Sequence, residues 1–468
     1  MNLVKRIAIV GAGPVGLAAA AHALEYGIEP IVFERGPEAG HAIAQWAHVP
    51  MFSTWSLNID AAGARLLAKS GWRRPDDSAH PTGGELLAHY VAPLAATDAM
   101  REAVRYSHTV RSIGRAGIDK VKNAGRAQAP YELIVDTPDG PSRFRADAVI
   151  DASGTWFAPN PAGADGRAAP GEAANAAHIS YGMPDIAGAA RARYAGKRIA
   201  VLGGGHSAIG TLIELAALAE TAPGTRIVWL YRGMRLERAF GGGSADALAA
   251  RGALGSEIAE LVALGRIDVE KGFSLDAIEP GLVLRAGERR VTADELIVAT
   301  GFRPDLDMLR EVRLSLDPAL ECPAALGPLI DPNLHSCGTV RPHGAAELAH
   351  PDPGFYLAGM KAYGRAPTFL LATGYEQVRS IVAELAGDMV AARRVELVLP
   401  ETGVCAGPVK TTVRVKAASA PASSAGCCGG PATVADACCV DDQEAKAAGE
   451  AGCGCAAPAL ISASGDTR

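Results

Sequence analysis

Two glycine-rich turns in this chain have the composition and spacing typical of turns that bind the diphosphate group of a dinucleotide. The first runs from Gly11 to Gly16, and the second runs from Gly203 to Ala208. In such a turn the first glycine permits a tight bend, the middle glycine lets the backbone approach a pyrophosphate, and the last small residue lets a helix pack closely. Free N–H groups at the start of that helix can bind the anion. The spacing predicts two dinucleotide sites.

The first turn lies between elements that would position it. An apolar run over residues 7–10 predicts a buried parallel strand, and the alanine-rich run over residues 17–21 predicts a helix. A second apolar strand follows and ends at Glu34. An acidic residue about 20 positions after the turn is the expected partner of a ribose hydroxyl. The order strand, turn, helix and strand therefore predicts a complete nucleotide-binding unit.

The second turn has the same surroundings but a different ending. The strand that follows its helix, over residues 227–231, ends at Arg232, and Arg235 lies nearby. A carboxylate at this position would repel a 2′-phosphate, whereas a guanidinium can bind it with two hydrogen bonds. We therefore expect NADPH at the second site, with Arg232 or Arg235 contacting the phosphate.

The composition excludes several classes of protein. The chain has 468 residues, a formal net charge of −6, and 49% hydrophobic residues. This length predicts two or three domains, and the absence of a basic excess argues against a nucleic-acid-binding protein. The sequence shows neither a leader before the first strand nor an apolar run of about 20 residues. We expect a cytoplasmic protein that contacts no membrane.

The nine cysteines are unevenly distributed. Most of them lie beyond residue 402, where Ala, Gly, Ser and Pro dominate and periodicity is lost, so that we expect residues 402–468 to be a disordered tail. As thiolates, clustered cysteines suit soft ions such as copper(I), zinc or trivalent arsenic. The candidate metal ligands are Cys427, Cys428, Cys438, Cys439, Cys453 and Cys455.

With both turns established, the chain resembles the two-domain flavoprotein oxidoreductases, and within them the flavin-containing monooxygenases. The similarity covers roughly residues 4–390 and includes the segment 299–305, which resembles the family's strand between the domains. The resemblance implies an α/β fold with two Rossmann-like, three-layer dinucleotide-binding domains, one for FAD and one for NADPH. Outside them lies the cysteine-rich tail, whose paired cysteines resemble arsenic-handling thiol segments.

The expected domain boundaries follow from this resemblance. The first part of the FAD domain would be residues 1–156, the NADPH domain 157–294, the second part of the FAD domain 295–401, and the tail 402–468. We expect a helix that opens at Pro367 to place its N-terminus near the flavin, where it would stabilise negative charge.

The expected cofactor contacts are assigned residue by residue. Those predicted for FAD are Gly11, Gly13, Pro14, Val15, Gly16, Glu34, Arg35, Trp46, Thr300, Gly301, Gly359 and Thr368. Those predicted for NADPH are Gly203, Gly205, His206, Ser207, Ala208, Arg232 and Arg235. Other candidates around the flavin are Trp55 and Tyr363. No residue is assigned a catalytic role.

The resemblance implies an FAD-dependent, NADPH-consuming monooxygenase that acts on a soft nucleophile, such as a trivalent arsenic or thiol compound. A first alternative is an NADPH-dependent disulfide or metal-ion reductase that uses the tail thiols. No cysteine precedes Cys322, however, so the usual redox pair of the nucleotide domains is missing. A second alternative is a non-catalytic, flavin-bearing metal-binding protein. Related proteins are commonly homodimers, and we expect no nucleic-acid partner.

Overall fold

The computed structural model describes residues 4–241, 249–334, 342–367 and 369–397. The strands of this described part, in chain order, are β1 (Arg6–Val10), β2 (Glu29–Phe33), β3 (Val104–Arg105), β4 (Thr109–Arg115), β5 (Tyr131–Thr137), β6 (Gly140–Ala146), β7 (Ala148–Asp151), β8 (Ile179–Tyr181), β9 (Arg198–Leu202), β10 (Arg226–Tyr231), β11 (Asp268–Lys271), β12 (Ala277–Glu279), β13 (Val283–Ala286), β14 (Arg289–Thr292), β15 (Glu295–Val298) and β16 (Phe355–Leu357).

The α-helices of the same ranges include several single turns. They are α1 (Pro14–Glu25), α2 (His41–Ala44), α3 (Trp55–Asn58), α4 (Ala61–Ala68), α5 (Gly83–Leu86), α6 (Ala92–Ala95), α7 (Asp98–Ala103), α8 (Arg191–Tyr194), α9 (His206–Thr221), α10 (Glu237–Phe240), α11 (Ala249–Ala263), α12 (Gly327–Ile330), α13 (Ala345–Leu348), α14 (Leu371–Leu385) and α15 (Met389–Arg393). Further helical turns span Leu87–Val91, Arg126–Gln128, Ala173–His178, Asp307–Leu309 and Gly359–Tyr363.

The first parallel sheet has the strand order β16-β7-β1-β2-β3. Its central strand β1 pairs in parallel with β2 and with β7, and four of its five residues are buried. Helix α1 begins at Pro14, as expected for proline in a first helical turn, and packs against α14 and α4. The strand, turn and helix predicted around Gly11 are therefore confirmed.

The second parallel sheet has the order β11-β10-β9-β15-β8. The predicted strands on either side of the second turn are β9 and β10, which pair in parallel. We expected the chain to return to the first domain at residue 295. Instead β15 pairs with β9 in the second sheet, so the chain returns to the first domain only after β15. Strand β15 is buried at all four positions between β9 and β8, and this burial depends on the strand order of the second sheet.

Two small antiparallel sheets accompany the parallel ones. One consists of β4, β5 and β6, and the other consists of β12, β13 and β14. A turn at residues 138–139 joins β5 to β6, and the two strands pair antiparallel. Alternate residues of β6 are exposed, so this strand lacks the continuous apolar run that marks its buried neighbour β7.

Together these elements form an α/β fold whose two parallel sheets are consistent with two dinucleotide-binding domains.

One further prediction was wrong: helix α14 begins at Leu371, after Leu370 as its N-cap, and not at Pro367. Within the described ranges, no helix is both long and apolar enough to span a membrane. The tail expected over residues 402–468 lies outside the described residues.

Candidate functional site

A cavity of about 690 Å³ opens at the carboxyl ends of the first sheet's strands. Its wall contains Gly11 after β1, Glu34 after β2, Ser153 after β7 and Gly359 after β16. Ligands of open α/β sheets bind at this edge, because the loops leave the sheet there and leave a crevice between them. The strand order thus brings together four chain segments that are distant in sequence.

The first glycine turn forms one wall of this cavity. Gly11 has a φ of +97°, and a Cβ added to it would lie 2.9 Å from the carbonyl oxygen of Ala152. A Cβ on Gly16 would lie 1.9 Å from the carbonyl oxygen of Gly11. A Cβ on Gly13, in contrast, would meet no protein atom within 4 Å. Gly13 is therefore not required by the packing of the turn, and it leaves open the space that a diphosphate would fill.

Glu34 is 7% exposed and holds the turn in place. Its two carboxylate oxygens accept hydrogen bonds from the backbone N–H groups of Ala12 and Gly36, each at 2.8 Å. A carboxylate offers about four lone-pair positions, so each oxygen can accept a further hydrogen bond from the cavity side. This arrangement fits the ribose contact expected from the sequence. The bond to the turn backbone was not anticipated.

Aromatic rings form another part of the cavity wall. Trp156 stacks on Phe302, with ring centroids 5.0 Å apart and an angle of 29° between the rings, and lies 6.4 Å from the ring of Trp46. Phe302 follows β15, so this pair joins the ends of β7 and β15. Methionines line the same cavity: Met51, Met183, Met308 and Met360. Thioethers and aromatic rings give this region an apolar, polarizable surface.

The second turn repeats the geometry of the first. Gly203 has a φ of +144°, and a Cβ there would lie 2.3 Å from the carbonyl oxygen of Ala299. A Cβ on Gly205 would meet no protein atom within 4 Å. Ala208 is fully buried at the third position, where its methyl group is accommodated. These positions fit a second diphosphate.

The arginines expected to contact a 2′-phosphate are both exposed near this turn. The Nη1 atom of Arg232 donates a hydrogen bond to the carbonyl oxygen of Ala164 at 3.1 Å, and the hydroxyl of Tyr231 donates one to the carbonyl oxygen of Arg235 at 3.2 Å. Arg232 thereby stays at the carboxyl end of β10, and this is the hydrogen bond that its guanidinium makes among the described residues.

The predicted FAD residues divide into three groups. The cavity is lined by Gly11, Gly13, Pro14, Val15, Glu34, Arg35, Trp46 and Gly359. Among the described residues, Gly16, Thr300 and Gly301 lie outside this lining; Gly16 instead packs the turn, and the hydroxyl of Thr300 donates to the carbonyl oxygen of Asn160 at 3.2 Å. Thr368 and the six candidate cysteine ligands of the tail lie outside the described residues. Trp55 and Tyr363 are buried behind the cavity.

A buried ion pair at the cavity floor escaped the sequence analysis. The Nζ atom of Lys361 lies 2.6 Å from Oδ2 of Asp151, and both side chains are at most 1% exposed. Lys361 and Ser153 line the cavity. The sequence signal was a lysine between apolar residues directly after β16, and an aspartate at the end of an apolar strand.

Within the described part of the chain, Cys322 is the one cysteine, and it is buried. Burial, together with the nearby charge of Asp317, raises the pKa of its thiol to about 12. The thiol therefore stays protonated at neutral pH, which makes it a poor nucleophile. No cysteine lines the cavity in the described ranges.

The geometry of the two glycine turns agrees with the family comparison. Residues 8–323, more than half of the chain, match the pyridine nucleotide-disulphide oxidoreductases. The chain belongs to this family. It is therefore an FAD- and pyridine-nucleotide-dependent oxidoreductase, as members of the pyridine nucleotide-disulphide oxidoreductase family typically are. The family membership confirms the enzyme class expected from the sequence.

A curated protein similar to this chain is the flavin-containing monooxygenase ustF1 of Aspergillus flavus. It is 24% identical over 166 residues, which are 34% of this chain and 38% of the relative. The chain thus matches well under half the length of that protein.

Solved structures with the same fold include both a disulfide reductase and monooxygenases. The bacillithiol disulfide reductase Bdr (YpdA) from Bacillus cereus has a TM-score of 0.59 and 19% identity, and the match covers 82% of this chain and 99% of that one. The FAD-bound cadaverine monooxygenase DfoA from Erwinia amylovora has a TM-score of 0.56 and 14% identity, covering 86% and 99%. A flavin-containing monooxygenase from Stenotrophomonas maltophilia has a TM-score of 0.51 and 20% identity, covering 83% and 99%. These likenesses establish the fold.

Proposed function

We propose that the protein is an FAD-dependent, NADPH-consuming monooxygenase that transfers one oxygen atom to a soft nucleophile. The observation that carries the proposal is the composition of the cavity wall, where aromatic rings and methionine thioethers stand and the described lining contains no cysteine. A disulfide reductase of this kind would need a thiol pair within reach of the flavin. The match to a flavin-containing monooxygenase adds support.

The proposed reaction is balanced, and its stoichiometry includes no proton donor or acceptor from the protein. NADPH, a proton, oxygen and the substrate would yield NADP⁺, water and the oxygenated substrate. FAD, when bound, supplies the two-electron chemistry and the reaction with oxygen. The chain would bind and orient both nucleotides at the two turns. Trp46, Trp156 and Phe302 would exclude water from the reacting region.

The preference for NADPH over NADH belongs to the same proposal. It rests on Arg232 and Arg235, two exposed guanidinium groups beside the second turn. A phosphate monoester binds guanidinium well because two parallel N–H groups match two of its oxygens.

For the substrate we propose a trivalent arsenic or thiol compound, with the tail cysteines as its capture site. The support for this class is the pairing of cysteines in the tail sequence, together with the thioether-rich cavity wall. Soft electron-pair donors are the class that a polarizable, apolar wall accommodates.

The deciding experiment measures how NADPH consumption is coupled to oxygen transfer. The FAD-loaded protein is mixed with NADPH and oxygen, with and without arsenite or a small thiol, and NADPH, hydrogen peroxide and oxygenated product are quantified. A monooxygenase gives one product molecule per NADPH, and the peroxide yield falls as substrate is added. NADPH oxidation that always ends in peroxide, whichever soft nucleophile is supplied, would count against the proposal.

The two alternatives give different results in the same assay. A reductase would oxidise NADPH without oxygen when a disulfide or a thiophilic metal ion is supplied. A non-catalytic metal-binding protein would bind the ion and leave NADPH unchanged. Removal of residues 402–468 then tests the tail: loss of a capture site raises KM, whereas loss of an electron-carrying segment abolishes turnover.

A further inference from the structure

The ion pair of Lys361 and Asp151 at the cavity floor has a large desolvation cost. Lys361 is 1% exposed and Asp151 is fully buried, so both charges have lost almost all of their hydration. Buried ion pairs often contribute no more stability than well-packed apolar side chains of similar volume, because their attraction only offsets the loss of hydration. Stability alone therefore does not explain why the chain carries this pair.

Of the two charged residues, Lys361 is the one that belongs to the described cavity lining. Ser153 belongs to the lining as well, whereas Asp151 does not. The pair has no net charge, but its cationic member adjoins the cavity, and a cation at close range attracts an anion.

The hydrogen bonds of the pair leave capacity for a ligand. Nζ of Lys361 donates to the Ser153 hydroxyl at 3.0 Å, and that hydroxyl donates to Oδ1 of Asp151 at 2.7 Å. Oδ2 of Asp151 lies 2.6 Å from Nζ, yet it accepts no well-directed hydrogen bond from the described residues. An ammonium group has three protons, and these two contacts leave at least one of them without an acceptor.

The position of the ammonium group relates it to the first glycine turn. The Cα atom of Ser153 would lie 3.0 Å from a Cβ on Gly11, so the hydroxyl that holds Lys361 belongs to a residue packed against the turn. Gly359, two residues before Lys361, packs against Val15 at the start of α1. The ammonium group is thus held by segments that adjoin the diphosphate cradle on both sides.

We propose that Lys361 binds the diphosphate arm of the flavin dinucleotide, with Asp151 and Ser153 holding its ammonium group at the cavity floor. A charged amine is a strong partner for phosphate oxygens, since hydrogen bonds between ionised groups are about twice as strong as neutral ones. The inference rests on the FAD site of the family and not on the oxygen chemistry, so it can fail or hold independently of the monooxygenase proposal.

The test removes both charges together, because deleting one partner would leave a buried charge uncompensated. The variant is K361M/D151N, and the matched control is R126M/D352N. Arg126 and Asp352 form another buried ion pair, at 2.6 Å, which does not line the cavity. Full-length apoprotein is titrated with FAD and, separately, with riboflavin, which has the ring and the ribityl chain but no phosphate.

The expected result is a loss of FAD affinity of about 10- to 100-fold in K361M/D151N, with riboflavin affinity unchanged within twofold. The control variant should bind both ligands like the wild type. FAD affinity within twofold of the wild type would show that the pair is only structural. An equal loss for riboflavin and FAD would place the cation near the ring and would also overturn the proposal.

A milder variant keeps the test available if the double variant does not fold. Ser153→Ala removes the hydroxyl that accepts from Nζ and leaves both charges in place. We expect FAD affinity to fall about 3- to 10-fold, as the loss of one hydrogen bond implies, and riboflavin affinity to stay constant. Unchanged FAD affinity in this variant would contradict the proposal.

Discussion

Phe52 contacts His206 across the two nucleotide units, with ring centroids 5.5 Å apart. Phe52 lines the cavity next to the first turn, and His206 lies within the second turn as the first residue of α9. This contact places the second turn beside the cavity, although the two turns belong to different sheets. A pyridine nucleotide whose diphosphate binds at the second turn would thereby lie close to a flavin in the cavity.

Phe52→Leu should slow hydride transfer. Without the aromatic ring, the contact that holds the second turn beside the cavity is lost, and small errors in positioning are costly for a transfer between two bound rings. We expect the rate of flavin reduction by NADPH, measured by stopped-flow absorbance without oxygen, to fall at least tenfold. Phe52→Tyr retains the ring and should react at close to the wild-type rate; equal rates for both variants would show that the contact is incidental.

Gly13→Ala and Gly16→Ala should separate cofactor binding from folding. A methyl group on Gly13 meets only open space, so the apoprotein should keep its melting temperature while its FAD affinity falls at least tenfold. A methyl group on Gly16 would collide with the carbonyl oxygen of Gly11, so this variant should lose stability even without FAD. Thermal unfolding of both apoproteins and FAD titration check the two outcomes. Full FAD affinity in Gly13→Ala would mean that no diphosphate approaches this residue.

Arg232→Ala should reduce the preference for NADPH. The guanidinium beside the second turn offers charge-assisted hydrogen bonds to a 2′-phosphate, and each is worth about 1.5–3 kcal/mol. We expect KM for NADPH to rise at least tenfold and KM for NADH to change less than twofold. Arg226→Ala, at the opposite end of the same strand, is the control and should alter neither constant. A parallel rise for both nucleotides would assign Arg232 a structural role.

Glu214→Gln should stabilise the protein at alkaline pH only. Burial, together with the nearby charge of Asp185, raises the pKa of the Glu214 carboxyl to about 7. The folded state therefore binds more protons than the unfolded state between pH 4.5 and 7, so the contribution of Glu214 to stability is lost as the pH rises through this range. Above pH 7 the wild type carries the full penalty, and the glutamine variant carries none.

The corresponding measurement is the difference in melting temperature between Glu214→Gln and the wild type. It should be near zero at pH 4.5 and positive by about 1–3 °C at pH 8.5, since about 1 kcal/mol corresponds to about 1 °C in a protein of this size. Glu220→Gln, exposed on the same helix, should shift the melting temperature little at either pH. A pH-independent difference for Glu214→Gln would show that its carboxyl is ionised normally.

Both nucleotide units could be predicted from the sequence, because each is a local structure. A strand, a glycine turn and a helix lie within one short segment, and the apolar periods and small residues that specify them are adjacent in the chain. The positions of Gly11, Gly13 and Glu34 at the cavity could therefore be predicted. The position of Arg232 directly after β10 could also be predicted, since residues 227–231 are a continuous apolar run.

Contacts between segments that are distant in the sequence could be learned from the tertiary structure alone. Strand β15 follows the second sheet because it inserts between β9 and β8, and nothing in its apolar sequence distinguishes this sheet from the first. Lys361 reaches Asp151 because β16 pairs with β7, although the two strands are far apart in the sequence. Such contacts depend on strand order and on burial shared among many residues, so no local pattern encodes them. The nucleotide turns came from local sequence, and the charged floor of the cavity came from the order of strands in the sheet.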